Sequence, residues 1–186
     1  MRVVGGKYQG RRIHPPKSTL ARPTTDFAKE GLFNILQHTV PLEGIRVLDL
    51  FAGTGNISVE FLSREAEEVI SVEQDRELFA YMQRVSRDLQ ATNWHHVKAD
   101  AFAFVKGHRA TYDIIFADPP FNLEGTELLP TLVREAGILD PDGLLIIEHP
   151  KDVNMNADPW FDRHRPYGNV HFSFFKPSLA PMPAAS

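Results

Sequence analysis

The chain has 186 residues, 14 prolines and no cysteine, so a disulfide framework and a thiolate zinc site are both excluded. The net charge is −4, but residues 1–25 hold six bases and no acid, and the rest of the chain carries −10. A basic arm on an acidic body is the pattern of a polyanion-binding segment, although a solvated basic surface would read the same.

The stretch "RVVGGKYQGRRI" predicts two short strands around Gly5-Gly6, a hairpin or bulged ribbon, within a basic β-hairpin arm over 1–22. "HPPKSTLARP" is an irregular connector. Thr24, Thr25 or Asp26 caps a helix to about His38, with Ala28, Leu32, Ile35 and Leu36 on one face. Then strands and helices alternate. "IRVLDL" (45–50) reads as a strand, "NISVEFLSRE" (56–65) as a helix, "EEVISVE" (67–73) as a strand and 75–89 as a helix striped by Leu78, Met82, Val85 and Leu89. "WHHVKA" is a strand, "AFAFVKG" a short helix, "YDIIFA" (112–117) a strand, "EGTELLPTLVREA" a helix despite Pro130, and "GLLIIEH" (143–149) a strand. "WFDRHRPYGNVHFSFFK" predicts a closing antiparallel hairpin around Gly168, and 177–186 a disordered tail. The alternation implies an α/β fold, a mostly parallel seven-stranded sheet with an antiparallel last strand and helices on both faces. One domain over 1–176 accommodates it. The expectation is a soluble intracellular protein without a membrane span or signal peptide.

The polar signals cluster at strand ends. "LDLFAGTGN" joins the first parallel strand to its helix, and Gly53 and Gly55 permit a tight turn with close ligand approach. A dinucleotide fingerprint would want a third glycine where Ser58 stands. The next strand ends at Glu73, which can accept from both ribose hydroxyls of a nucleoside. The third ends at Asp100, a candidate acceptor for an adenine amine. The fourth runs through "IIFADPPF" into Asp118, Pro119, Pro120 and Phe121. Two prolines cannot continue a helix and make a stiff extended corner. Alone, Asp-Pro-Pro is a common turn; four strand ends with such groups at one sheet edge point to a site.

These motifs resemble the class I S-adenosylmethionine-dependent amino-methyltransferases, whose signature is (Asp/Asn)-Pro-Pro-(Tyr/Phe). The nearer likeness is to bacterial 16S rRNA guanine-N2 methyltransferases of the RsmD type. Arg2 to Ile13 and Arg22 to Asn34 match that family's two N-terminal motifs. Gly31 departs from it, since the family often carries threonine or a larger residue, but a helix position touches no chemistry. The resemblance implies a Rossmann-like class I fold. It implies that Asp49, Phe51, Ala52, Gly53, Thr54, Gly55, Glu73, Asp100 and Ala101 hold S-adenosylmethionine. Asp118, Pro119, Pro120 and Phe121 would orient a guanine 2-amino group, and no metal is required. Arg2, Lys7, Arg11, Arg12 and Arg22 would contact 16S rRNA within the 30S subunit, with Arg22 and Thr24 near the cofactor or target base. A cytoplasmic monomer is expected. The rivals are a DNA adenine or cytosine amino-methylase, which usually carries an added recognition domain, and a non-catalytic RNA-binding module.

Overall fold

The computed structural model describes residues 1–16 and 25–179. Lys17, Arg22, Thr24 and the tail from residue 180 lie outside the described residues. The elements are α1 (Asp26–Gln37), β1 (Arg46–Leu50), α2 (Asn56–Ser63), β2 (Glu68–Val72), α3 (Arg76–Leu89), β3 (Trp94–Val97), α4 (Ala101–Gly107), β4 (Tyr112–Ala117), α5 (Leu129–Ala136), β5 (Leu139–His149), β6 (Phe161–Tyr167) and β7 (Val170–Phe175). The seven strands lie in the order β3-β2-β1-β4-β5-β7-β6. β3, β2, β1, β4 and β5 pair in parallel, and β7 runs antiparallel between β5 and β6.

Helices cover both faces because the central strands are apolar on both. Val47, Ile114, Phe116 and Ile146 pack toward α1, α2 and α3, whereas Leu48, Ile115, Leu145 and Ile147 pack toward α4 and α5. Such double burial explains why β1 and β4 read as nearly continuous apolar runs. Pro130 does not break its helix. It sits in the first turn of α5, where its missing N–H has no intrahelical acceptor, and a 3-10 turn over Thr126–Leu128 leads into it. Pro177–Leu179, expected in the tail, form a 3-10 turn after Lys176 N–H binds Trp160 O at 2.7 Å.

The predicted N-terminal hairpin is present only as an irregular chain reversal. Residues 1–13 contain a single antiparallel bridge, Arg2 to Arg12, and no strand. The segment is a loop docked on α2. Its backbone N–H groups donate into that helix: Val4 to Glu60 Oε1 at 2.8 Å, Lys7 to Ser63 O at 2.7 Å and Tyr8 to Ser63 Oγ at 2.9 Å. Gly6 makes the approach possible, since a Cβ there would lie 1.9 Å from Ser63 O. Around the Arg2–Arg12 bridge the chain still pairs with itself, Val3 N–H donating to Arg11 O at 3.0 Å, Ile13 N–H to Met1 O at 2.9 Å and Gly10 N–H to Val3 O at 2.9 Å, but the donors of Val4, Lys7 and Tyr8 go to α2 and the ladder stops short of two strands. Those contacts with α2 also explain why every residue of α2 is buried, Glu60 included.

Lys29 of α1 is fully buried and joins the pieces. Its ammonium donates to Arg2 O, to Asn56 Oδ1 at 2.8 Å and pairs with Glu60 Oε1 at 3.0 Å. Arg64 pairs with the other Glu60 oxygen. Removing one member of a buried ion pair strands the other charge. Lys29→Met should therefore lower the unfolding free energy by about 3 kcal/mol, at the low end for buried pairs because Arg64 remains. Urea denaturation measures it, and adding Glu60→Gln should recover part of the loss; a single-variant loss below about 1 kcal/mol would rule out the clamp.

Candidate active site

Register brings the strand ends together. Val97 is level with Val72, Val72 with Leu50, Leu50 with Ala117 and Ala117 with Ile147. One residue further along, the carboxyl edge of the sheet therefore presents Glu73, Phe51, Asp118 and Glu148 in adjacent positions. They open into a cavity of about 630 Å³. Its walls are apolar at Val72, Leu78, Ala99 and Ala101, and the hairpin tip from Tyr167 to Val170 closes one side. Thr25, which caps α1 by accepting from Ala28 N–H at 3.2 Å, also reaches the wall.

Glu73 is the hinge of this edge. One carboxylate oxygen accepts from Gly53 N–H and the other from Asp75 N–H, each at 2.8 Å. It thus ties the glycine loop after β1 to the start of α3, while lining the cavity itself. The loop is strained in a specific way. Phe51 has φ +59, a left-handed conformation that costs a bulky residue about 1–3 kcal/mol. Gly53 and Gly55 continue the turn at positive φ, and Gly55 N–H closes on Ala52 O at 2.8 Å. At Gly55 a Cβ would also strike the Trp94 ring at 2.6 Å. At Gly53 it would meet only Phe51 O, at 3.9 Å, on the cavity side of the loop.

Asp49 and Thr54 serve this loop from within. Asp49 is buried and accepts from the Ser58 hydroxyl. Ser58 contacts Ser71 Oγ at 2.6 Å, which accepts from Trp94 Nε1 at 2.7 Å. With the indole N–H as donor only, the chain of donors runs Trp94, Ser71, Ser58, Asp49. Burial pushes Asp49 up to about 7, against the Ser58 hydroxyl, with Glu73 adding to the rise. Ser58, the missing third glycine, is therefore a structural hydroxyl. Thr54 is buried with its hydroxyl toward Met1 Sδ.

The corner after β4 is held from both sides. Asp118 N–H donates to Leu50 O at 3.3 Å, and Pro120 O accepts from Leu123 N–H at 2.8 Å. Asp118, Pro119, Pro120 and Phe121 all line the cavity, with Phe121 49% exposed at its rim. Burial raises the Asp118 carboxyl well above its ordinary range, and the charges of Glu148 and Asp49 push it the same way. Glu148 was not singled out from the sequence. It is buried at the end of β5 and lines the cavity; "LLIIEH" carries the same signal, an apolar strand ending on a carboxylate. The end of the third strand is corrected: β3 ends at Val97, and Asp100, which is not among the cavity-lining residues, caps α4 by accepting from Ala103 N–H at 2.9 Å. Ala101, the next residue, is in the cavity wall.

Among the basic candidates, Arg2 is bound by Asp26 at 3.4 Å and Glu30 at 2.8 Å. Lys7, Arg11 and Arg12 are exposed. Arg11 and Arg12 edge a groove of about 410 Å³ whose far side is α3, with Arg84 and Tyr81. Leu78 of the same helix lines the main cavity, so α3 connects the two.

Comparison with known proteins agrees with this architecture. Residues 1–176 match the family described as Conserved hypothetical protein 95. Ribosomal RNA small subunit methyltransferase D of Escherichia coli K12 is 30% identical over 95% of this chain and 89% of that protein. Its namesake in Haemophilus influenzae is 30% identical over 82% and 80%. A hypothetical protein of Thermus thermophilus superposes with a TM-score of 0.81 at 27% identity, covering 95% of this chain and 99% of that one. With a class I methyltransferase sheet and a match that runs nearly end to end, the chain belongs to the family described as Conserved hypothetical protein 95, that of ribosomal RNA small subunit methyltransferase D.

Proposed function

We propose that this chain transfers a methyl group from S-adenosylmethionine to the 2-amino group of a guanine in 16S rRNA. The observation that carries the reading is the convergence of Glu73, Asp118 and Glu148 with the Pro-Pro-Phe corner on one cavity. The coarser statement, a methyltransferase acting on ribosomal RNA, is supported by the names of the relatives.

The cavity suits this cofactor. Its apolar walls suit an adenine ring, and Glu73 provides a carboxylate acceptor for a ribose diol. Three carboxylates and no lysine, arginine or histidine stand among the described lining residues. Such a wall favours a sulfonium cation and disfavours the pyrophosphate of a dinucleotide. When bound, S-adenosylmethionine supplies a methyl group already activated on a positively charged sulfur. The protein's part is orientation. A guanine amine is a weak nucleophile because its lone pair is delocalised. Asp118 accepts one amine hydrogen, and a backbone carbonyl at the proline corner accepts the other, which turns the lone pair toward the methyl. The carboxylate stabilises positive charge developing on nitrogen and can take the proton. Phe121 stacks on the base, which reaches the cavity only when flipped out of its stack.

The direct test supplies labelled S-adenosylmethionine with 30S subunits, free 16S rRNA or DNA from an unmodified strain. Label on a guanine N2 of 16S rRNA is expected; label on DNA alone would overturn the reading. Glu73→Ala should weaken cofactor binding by about 1–3 kcal/mol through lost charged hydrogen bonds, read by calorimetry.

Asp118→Ala should abolish transfer while cofactor affinity stays within a few-fold, and Asp118→Asn should be milder because an amide oxygen still accepts. The pH profile gives a second readout. The raised Asp118 carboxyl must ionise to stabilise the charge on nitrogen and take its proton, so turnover falls as pH drops through its raised pKa. Glu148→Gln removes a repelling charge, lowers that pKa and should move the acid limb to lower pH. An unmoved limb would show that Asp118 does not set it.

For the basic segment, each phosphate contact releases counterions and steepens the salt dependence of binding. Changing Lys7, Arg11 and Arg12 together to alanine should flatten the slope of log affinity against log salt by roughly two to three units. Arg2 is left out because Asp26 and Glu30 hold it. A wild-type slope in the triple variant would make these side chains a solvated surface only.

A further inference from the structure

Phe27 is a large apolar side chain in the first turn of α1, yet it is 68% exposed. Its ring meets Tyr167 edge-on, with centroids 5.7 Å apart at 74°. Tyr167 ends β6 and packs its ring edge-on against Phe172 at 5.8 Å, so it is anchored to the sheet. It also lines the cavity, as does Thr25, two residues before Phe27. The pair is therefore continuous with the site and stands on its rim, as Phe121 does.

Gly31 explains how the pair is seated. Its backbone is ordinary helix, so nothing local requires glycine. A glycine inside a helix costs roughly 1 kcal/mol relative to alanine. What it provides is room: a Cβ at Gly31 would lie 2.1 Å from Tyr167 Cε1. The chain gives up helix stability at a position where the Tyr167 ring lies against α1.

We propose that Phe27 and Tyr167 form a stacking subsite for the nucleobase that flanks the target base. The proposal rests on the RNA-methylating reading above and names the surface that reads the neighbouring nucleotide. A flipped base leaves its neighbour without a stacking partner, and an exposed aromatic ring replaces that partner whatever the base. Phe121 serves the target inside the cavity, so a second platform is needed outside it. Arg165, exposed two residues before Tyr167, supplies a cation for the adjoining phosphate. An apolar protein partner would have no use for that arginine or for continuity with the cavity.

The test uses short single-stranded RNA carrying 2-aminopurine, whose fluorescence is quenched on stacking. Wild-type protein should bind it and quench it. Phe27→Ala should lose the quench and weaken RNA affinity by at least about five-fold, with S-adenosylmethionine affinity unchanged. Phe27→Trp should restore both. Gly31→Ala should act in the same direction as Phe27→Ala, although it strengthens the helix itself. A Phe27→Ala or Phe27→Leu variant with wild-type quench and affinity would overturn the subsite. Methyl transfer by the wild type is measured in parallel. Quenching that depends on Phe27 without transfer to any RNA would sink the catalytic reading and leave the subsite standing. Transfer with quenching indifferent to Phe27 would sink the subsite alone.

Discussion

The hydrogen-bond register of the five parallel strands is the constraint on which everything else depends. Parallel pairing is evenly spaced, so a one-residue slip in β4 would turn its side chains to the opposite face. Apolar residues on both faces fix the strands between two layers of helices. Once Leu50 is level with Ala117 and Ala117 with Ile147, the next residues can only be Phe51, Asp118 and Glu148 side by side. The geometry of the site follows from core packing some distance below it. Side chains at the edge are then free to be polar, because the apolar layers already hold the backbone.

The N-terminal segment turns this general sheet into a particular protein. Its charge predicts a basic arm, and the backbone donors of Val4, Lys7 and Tyr8 tie that arm to Glu60 and Ser63 of α2. From α1, Lys29 binds that segment and both Asn56, the first residue of α2, and Glu60. Asn56, which it holds, directly follows the glycine loop. Basic side chains on the outside of the segment are thus fixed relative to the glycine loop rather than tethered loosely to it. Arg11 and Arg12 facing α3 across a groove make the positive surface a joint product of segment and body.

Much of the fold was legible because its signals are local and repeated. Alternating apolar strands and striped helices gave every element of the body to within a few residues, and the proline corner after β4 declared itself. What was not legible depends on contacts across the chain. Nothing in "GLFNILQ" shows that Gly31 makes room for a tyrosine 136 positions away. The buried Lys29 reads as a surface charge on a helix until Glu60 and Asn56 are brought to it. Asp100 shows how an end residue is ambiguous: a carboxylate after a strand is also a carboxylate before a helix, and capping claimed it. Glu148 was missed for the converse reason, since its strand continues to His149 and hides the edge within the element.

The cluster of carboxylates at this edge is unfavourable in isolation. Asp118 is raised by burial and by Glu148 and Asp49, and Asp49 is itself raised by burial to about 7. Charges of one sign gathered in a low-dielectric wall destabilise their own ionised forms. A cationic ligand in the cavity reverses that balance, since an opposite charge nearby favours the carboxylate. By linkage, whatever favours ionised Asp118 is in turn bound more tightly when Asp118 is ionised. On the proposed function, a sulfonium cofactor would therefore lower the pKa of the residue proposed to accept the amine hydrogen. The acceptor would be readied by the same event that delivers the methyl group. On this view the electrostatic strain at the strand ends is a consequence of a site built to receive a positive charge, and the core beneath Leu50, Ala117 and Ile147 is what sustains it until that charge arrives.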